Sequence, residues 1–521
     1  MKKIILAFFS LIFFVKFAYT VSVTPYGAAE TVSGSCFLLE DENFSVVVDC
    51  GIFMSEGLGS VEDKNRNIDP KLVRAKVFCL THAHLDHSGK IPLLISDGFN
   101  GKIYSTDATK EMALELFRNR NGFDLIKRNW FWSLSQKEKA KRRKSFVVAH
   151  WRTECKKNIK SLEYSKDLVY LTDLEKQEGM RFLLCKNCCE LETQEIEKYF
   201  VTVDYNLENK LFENLTVKFI NAGHIPGSAS LIFSLENKKI LFSGDLGSGY
   251  SRFNGMFDVP ESADLIFMEA TYGSSNKKSS NKQYDFFRKD LVKALSKNKV
   301  VWIPALSLNR TQKVLYELKL MQQEGLLSKQ VPIYSISPSA NSVTTLYQKE
   351  LLESQGKGDW FLEDVYQEGS ILPTDTKLQM VRSYDKQMIL FSSSGDLDKG
   401  KSYQLVPKML SNKDVFVMLV NYVNPLSNAG LALKGKKLHD GTKCVANVKQ
   451  YDIFSDHADF DMLQKWLLKQ NKNVKIYIVH SSKQHSQDII KALKKSGWQN
   501  VNSAKIGATI KLDEIKKKNR Y

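Results

Sequence analysis

Histidine is scarce, with nine among 521 residues. Beyond the first twenty residues there is no internal repeat, no run of coiled-coil heptads and no apolar stretch of membrane-spanning length. These absences exclude a solenoid or propeller, a rod and a multi-span membrane protein. The bias of a disordered chain is also missing, because 43% hydrophobic and 26% charged residues describe a soluble globular protein. Acidic residues are outnumbered, 58 against 75 lysines and arginines, and the resulting +17 attracts polyanions: nucleic acid, anionic lipid or acidic surfaces. The length exceeds one ordinary core, so two globular domains, or one split by another, are expected.

The opening MKKIILAFFSLIFFVKFAYT sets two lysines before an apolar run from Ile4 to Val15, with small or polar residues at Ala18 and Thr20. That is the layout of a secretory signal, and the run is short for a bilayer span. Residues 1–20 are read as a signal peptide cleaved near Thr20, which implies export to a periplasmic or extracellular space. Lys16 leaves a membrane-anchoring leader open, and a mis-assigned start would make the protein cytoplasmic.

Short apolar runs then alternate with turns: CFLLE, FSVVVDCG, AKVFCLTHAH, GKIYSTDAT, LTVKFINAGH, ASLIFSL, KKILFSGDLG and ADLIFMEATYG. They read as strands whose carboxyl ends carry polar residues, where α/β proteins place their chemistry. Cys36, Cys50 and Cys79 sit within such runs and are expected as buried free thiols. From about Ser280 the helical stretch YDFFRKDLVKALSK, the strand VVWIPALSL, the helix RTQKVLYELKLMQQ and the strand PIYSIS argue for a second α/β unit with a parallel sheet. Near Tyr451 the chain returns to histidine-bearing turns, so an inserted domain is the economical arrangement. The boundaries read as 21–268, 269–445 and 446–521, with a basic, cysteine-bearing insertion at about 110–195.

The scarce histidines are concentrated. THAHLDHSG supplies His82, His84, Asp86 and His87 directly after a strand ending at Leu80. Such clustering has no packing purpose, whereas two groups of ligands a few ångströms apart suit a pair of cations that polarise a phosphoryl oxygen and activate water. His224, His457 and His480 each fall at a strand end, as does Asp245, a carboxylate placed to bridge two cations.

HxHxDH at His82 to His87, with AGHIPGS and SGDLG downstream, resembles the ligand order of metallo-β-lactamase-fold hydrolases. GAAETVSGSCFLLE, VVVDCG, Glu269 in MEATYG, His457 in FSDHADF, His480 in IVHSS, WIPALSLNRTQ and SPSANSVTTLY are similar to segments of the β-CASP branch of nucleases. The resemblance implies an α/β chain with the four-layer αββα metallo-β-lactamase fold and an inserted α/β β-CASP domain. It implies two Zn²⁺ per active site: His82, His84 and His224 would hold one, Asp86, His87 and His480 the other, and Asp245 would bridge. Asp49 would orient a ligand imidazole, and His457, held by Glu269, would protonate the leaving oxygen, so that Asp86, His457 and Glu269 form the catalytic set.

A histidine in the last motif goes with the RNA-directed members, similar to RNase J and the pre-mRNA cleavage-factor nuclease. The expected activity is therefore zinc-dependent hydrolysis of RNA, single strands above all, and endonucleolytic because no long C-terminal domain follows. The motif variants VHSS, SSSGDLDKGK and NYVNPLSNAG depart from the family in loops that face substrate. A DNA nuclease of the same fold, or a hydrolase of a small ester, lactone or thioester, stays open, although an inserted domain suits a polymer better. Homodimerisation is also left open.

Arg310 and the basic run Lys137 to Lys144, with Lys141, Arg142 and Arg143 beside Trp130 and Trp132, are candidate substrate contacts. The alternative for the run is a solvated helix whose aromatics pack inward. Cys155, Cys185, Cys188 and Cys189, near His150, would suit an additional structural Zn²⁺, a disulfide pair or free thiols.

Overall fold

The computed structural model describes residues 21–54, 64–65, 67–118, 193–249, 254–276, 281–297, 300–349, 387–398 and 400–512. The leader, the run Lys137 to Lys144 and Cys155, Cys185, Cys188 and Cys189 lie outside these residues.

Two seven-stranded sheets face each other. The first runs in the order Ile510–Lys511, Ser22–Pro25, Cys36–Glu40, Ser45–Cys50, Val77–Cys79, Lys102–Ser105 and Phe200–Thr202. The second runs Asn500–Ser503, Lys475–Val479, Leu265–Glu269, Lys238–Phe242, Ala229–Leu235, Leu215–Asn221 and Glu208–Phe212. Successive side chains of a strand point to opposite faces, so a strand buried on both faces serves two cores. In Leu265–Glu269, Leu265 and Phe267 join Phe37, Val46, Val48, Phe233 and Phe242 between the sheets, while Ile266 and Met268 pack outward on Leu463, Trp466, Ile489 and Leu493. The last four belong to helices Phe460–Trp466 and Lys483–Lys495. Across the first sheet, Leu38, Val47, Phe78 and Ile103 meet Leu72, Leu94, Met112 and Phe117 of helices Pro70–Arg74, Ile91–Ser96 and Asp107–Arg118. The expected helix, sheet, sheet, helix layering follows. Asp107–Arg118, which overlaps the start of the insertion expected at about 110–195, belongs instead to an outer layer of the sandwich.

A third, five-stranded sheet is built from Ile333–Ser335, Met388–Ser392, Val300–Pro304, Val415–Leu419 and Asn447–Gln450, all parallel. Val301 and Ile303 face helices Asn281–Lys297 and Arg310–Gln323, and Val300 and Trp302 face helix Gly400–Met409. Helix Pro338–Tyr347 packs on Asp107–Arg118, so the core of this unit is continuous with the outer layer of the first sheet. Cys36, Cys50 and Cys79 are buried free thiols.

Phe267 stacks on Phe242 at 4.7 Å and lies 5.8 Å from the rings of Phe37 and Tyr477. Phe267→Ala is expected to lower unfolding stability by about 3–5 kcal/mol, the cost of a large buried cavity. The measurement is a lower urea midpoint at unchanged slope.

Candidate metal centre

The strands Ser45–Cys50, Val77–Cys79, Leu215–Asn221, Lys238–Phe242, Leu265–Glu269 and Lys475–Val479 end on one rim, and the metal-ligand candidates follow those ends. His457, expected at a strand end, instead lies in the stretch between strand Asn447–Gln450 and helix Phe460–Trp466. The first hairpin shapes the rim. Its register slips at Cys36/Phe37, which leaves Asp49 as the extra residue at φ +56°. This left-handed conformation, unusual for aspartate, turns its carboxylate toward the histidine loop. Ser35 N–H donates to Asp86 O (2.7 Å) and Ile52 N–H to Leu85 O (2.9 Å). A side chain on Gly51 would collide with the Asp86 and His87 backbone, so this approach requires glycine.

Four of the ligand imidazoles are held from behind. His87 Nδ1–H donates to Asp49 Oδ2 at 2.7 Å. Thr81 Oγ1 donates to the same oxygen (2.9 Å) and accepts from His82 Nδ1 (3.1 Å). On the second sheet, Thr271 Oγ1 donates to Glu269 Oε2 (2.7 Å) and accepts from His480 Nδ1 (3.0 Å). His224 Nδ1–H donates to the carbonyl of Asp456 at 3.1 Å. These outward bonds place the proton on Nδ1 and leave the Nε2 lone pairs of His82, His87, His224 and His480 for the interior. His480 is held further by its own N–H on Ala28 O (2.6 Å), at a strained φ of +47°.

The inward atoms converge. His82 Nε2 and His224 Nε2 each lie 3.1 Å from His84 Nδ1, with Asp245 Oδ2 at 3.5 Å from the first and 3.6 Å from the second. His87 Nε2 is 3.3 Å from Asp245 Oδ1, and His480 Nε2 is 3.3 Å from Asp86 Oδ2. Three groupings could hold a cation: His82, His84, His224 and Asp245; Asp86, His87 and His480; and Asp245, His457 and His480, the last drawing on a histidine at the edge of the cluster. His87 Nε2 and Asp245 Oδ1 are buried without a hydrogen-bond partner. Crowded nitrogens and carboxylate oxygens in a largely buried pocket, two of them without a hydrogen-bond partner, suit divalent cations. Burial lowers the basicity of His82 and His84 and brings His224 down to about 3, so these rings are neutral at physiological pH. Desolvation opposes ionisation of Asp86, yet its contact with His480 and the neighbouring His87 hold its carboxyl at about 2.

His457 stands at the edge of this cluster. Its Nδ1–H donates to Glu269 Oε1 at 3.1 Å, and its ring lies 4.8 Å from that of His224 and stacks on His480 at 5.6 Å. Burial opposes protonation of His457, but Glu269 and Asp245 outweigh it and raise its pKa to about 10. Glu269 is itself fixed by Leu246 N–H on Oε1 (2.7 Å).

The structure thus brings Asp49, His82, His84, Asp86, His87, His224, Asp245, Glu269, His457 and His480 together. Arg310 stands apart from an open surface: it is 8% exposed, and its Nη1 donates to Val420 O at 2.7 Å. Thr81 and Thr271 were not anticipated. Their signal was available, since Thr81 immediately precedes His82 and Thr271 follows Glu269 by two residues. Asp456, adjacent to His457, was also missed, and its role depends on partners remote in sequence.

The sequence profile of the metallo-β-lactamase superfamily matches residues 29–285, that of the Beta-Casp domain residues 311–429, and that of the Zn-dependent metallo-hydrolase RNA specificity domain residues 442–502. The protein belongs to the metallo-β-lactamase superfamily of hydrolases. Within it, the chain is a member of the β-CASP family. It is similar to a ribonuclease of Thermus thermophilus, with 26% identity over 508 residues that cover 93% of this chain and 98% of the relative. An RNase J-like protein of Methanocaldococcus jannaschii is 25% identical over 479 residues, covering 88% and 92%. Subunit 3 of the cleavage and polyadenylation specificity factor of Dictyostelium discoideum is 21% identical over 409 residues, which span 77% of this chain and 45% of that protein.

Thr271→Val keeps the shape of the side chain and removes the hydroxyl that sets the His480 proton. Divalent-cation affinity is expected to fall by about 10- to 100-fold, as read by calorimetric titration of chelator-stripped protein. An affinity equal to wild type would show that the hydroxyl is dispensable.

Proposed function

We propose that this protein is a zinc-dependent endoribonuclease acting on single-stranded RNA. The observation that carries the reading is the position of His457, paired with Glu269 through Nδ1 and set beside two groups of inward-facing ligands. His82, His84, His224 and Asp245 would hold one cation, and Asp86, His87 and His480, with Asp245 between, a second. Ligands about 2.0–2.1 Å from a tetrahedral zinc stand about 3.3 Å from one another. The separations of 3.1 to 3.6 Å in the first group agree with that spacing. When bound, two such cations would neutralise phosphoryl oxygens and lower the pKa of water.

The protein's own residues then have defined tasks. Asp49, Thr81 and Thr271 keep the ligand rings in one tautomer and orientation. Glu269 holds Nδ1 of His457, so Nε2 is the nitrogen left to carry the exchanged proton. In hydrolysis the oxygen of water bonds to phosphorus as the bond to the ribose oxygen breaks. His457 supplies the proton that lets this oxygen leave as an alcohol. RNA as the substrate is supported by the ribonuclease names of the relatives and by the RNA-specificity profile over 442–502, which spans His457 and His480. The +17 charge favours a polyanion of either sugar.

End-labelled single-stranded RNA, DNA of the same sequence and a nitrophenyl ester, each incubated with zinc-loaded protein, test this reading. Internal RNA fragments are expected, with DNA and the ester left intact; cleavage of the ester alone would reject it. His457→Ala should retain its metal while turnover falls by roughly two to four orders of magnitude. Cleavage by this variant at the wild-type rate would remove His457 from the mechanism.

A further inference from the structure

Away from the ligands, three buried charges near the site form a cluster that the chemistry above does not use. Lys313 is 3% exposed, Asp456 5% and Arg310 8%. Lys313 Nζ pairs directly with Asp456 Oδ1, and Arg310 Nη2 lies 3.4 Å from Asp456 Oδ2. Lys313 and Arg310 sit in the first turn of helix Arg310–Gln323, which follows the central strand of the third sheet. Asp456 sits in the segment that returns to the sandwich, one residue before His457.

The two ends of this contact are held differently. Gln312 ties the helix start to its own unit, donating to Ser307 O (3.0 Å), Ala340 O (3.1 Å) and Thr344 Oγ1 (3.0 Å). Arg310 Nη1 adds a bond to Val420 O. Between strand Asn447–Gln450 and helix Phe460–Trp466, by contrast, the residues around Asp456 belong to neither element. Their main-chain ties include Tyr451 N–H to Leu419 O (2.8 Å) and Ala458 N–H to Leu246 O (2.8 Å), either side of Asp456. The Asp456 carboxylate meets the inserted unit, its carbonyl receives Nδ1–H of His224, and the next residue is His457. The same helix start reaches His224 by a second route, because Asn309 Nδ2 donates to His224 O at 3.3 Å.

We propose that Lys313 is a positioning residue which, through Asp456, sets His224 and His457 in register and so couples the placement of the inserted unit to the catalytic centre. An ion pair buried at a contact between two units favours one relative arrangement, because displacement would leave charges unpaired in a low-dielectric interior. Here the favoured arrangement aligns a cation ligand and a proton donor together. The kinetic role assigned to His457 rests on the function proposed above; the effect on His224 does not.

The test uses full-length Lys313→Met, Asp456→Asn and the double variant. For each, kcat and KM on a single-stranded RNA oligonucleotide are measured, together with zinc affinity by titration of stripped protein and the melting temperature. Lys313→Met leaves the Arg310 and Asp456 charges balanced, so it should fold. Its expected effects are a kcat about 10-fold or more below wild type, a KM within about twofold, and zinc affinity at least about 10-fold weaker. Because Lys313 acts through Asp456, the double variant should be no slower than Asp456→Asn alone. Wild-type kcat and zinc affinity in folded Lys313→Met, or losses that add in the double variant, would overturn the proposal. Should Lys313→Met fail to fold, Lys313→Leu, which likewise removes the donor, is judged by the same criteria. If the wild-type protein does not cut RNA, the function proposal fails by itself, and the zinc titrations still decide the coupling.

Discussion

The structure depends on holding together groups that repel. Nitrogens of His82, His84, His87, His224 and His480 and oxygens of Asp86 and Asp245 are crowded into one largely buried volume, with neighbouring atoms 3.1 to 3.6 Å apart. In a low-dielectric interior such a set is costly unless positive charge joins it. The rest of the site opposes the repulsion from outside: Asp49, Thr81, Thr271 and the Asp456 carbonyl hold the distal nitrogens of His87, His82, His480 and His224, so none of these four rings can turn away without leaving a buried N–H unpaired.

The fold supplies those outer partners from both sheets. Asp49 comes from a slipped hairpin register in the first, and Glu269 and Thr271 from the end of a strand in the second that is buried on both faces. The two carboxylates play parallel parts, since each accepts from a threonine hydroxyl that also receives Nδ1–H of a ligand imidazole. The large apolar core between the sheets gives this rim its rigidity, because Phe37, Phe242 and Phe267 fix the separation of the layers that carry the two halves of the ligand set. The third sheet reaches the same rim through the buried charges of Arg310 and Lys313, which ties a unit remote from the metal ligands to the return segment that bears His457.

Much of this was legible in the residues themselves. The HxHxDH run, the strand-terminal His224, Asp245 and His480, and the alternation of strand and helix after Ser280 are local patterns, and the elements observed at Asn281–Lys297, Val300–Pro304 and Arg310–Gln323 follow that alternation. Arg310 illustrates the limit. An arginine beside a candidate cleft reads from sequence as a phosphate contact, whereas its guanidinium is buried against Val420 and Asp456. Burial is set by what a chain packs against, and those partners stand 110 and 146 residues away. Lys313 on a helix would ordinarily read as a solvated charge, and nothing near it in sequence announces Asp456.

By itself the sequence determined which atoms could bind cations, because ligand chemistry belongs to residue type, and roughly where the strands end, because apolar runs and turn residues are local. Tertiary structure alone decided which nitrogen of each histidine faces inward, which threonines hold the protons, and that a lysine of the inserted unit grips the residue before His457. Those outcomes depend on distances between segments far apart along the chain, and such distances exist only once the sheets have packed.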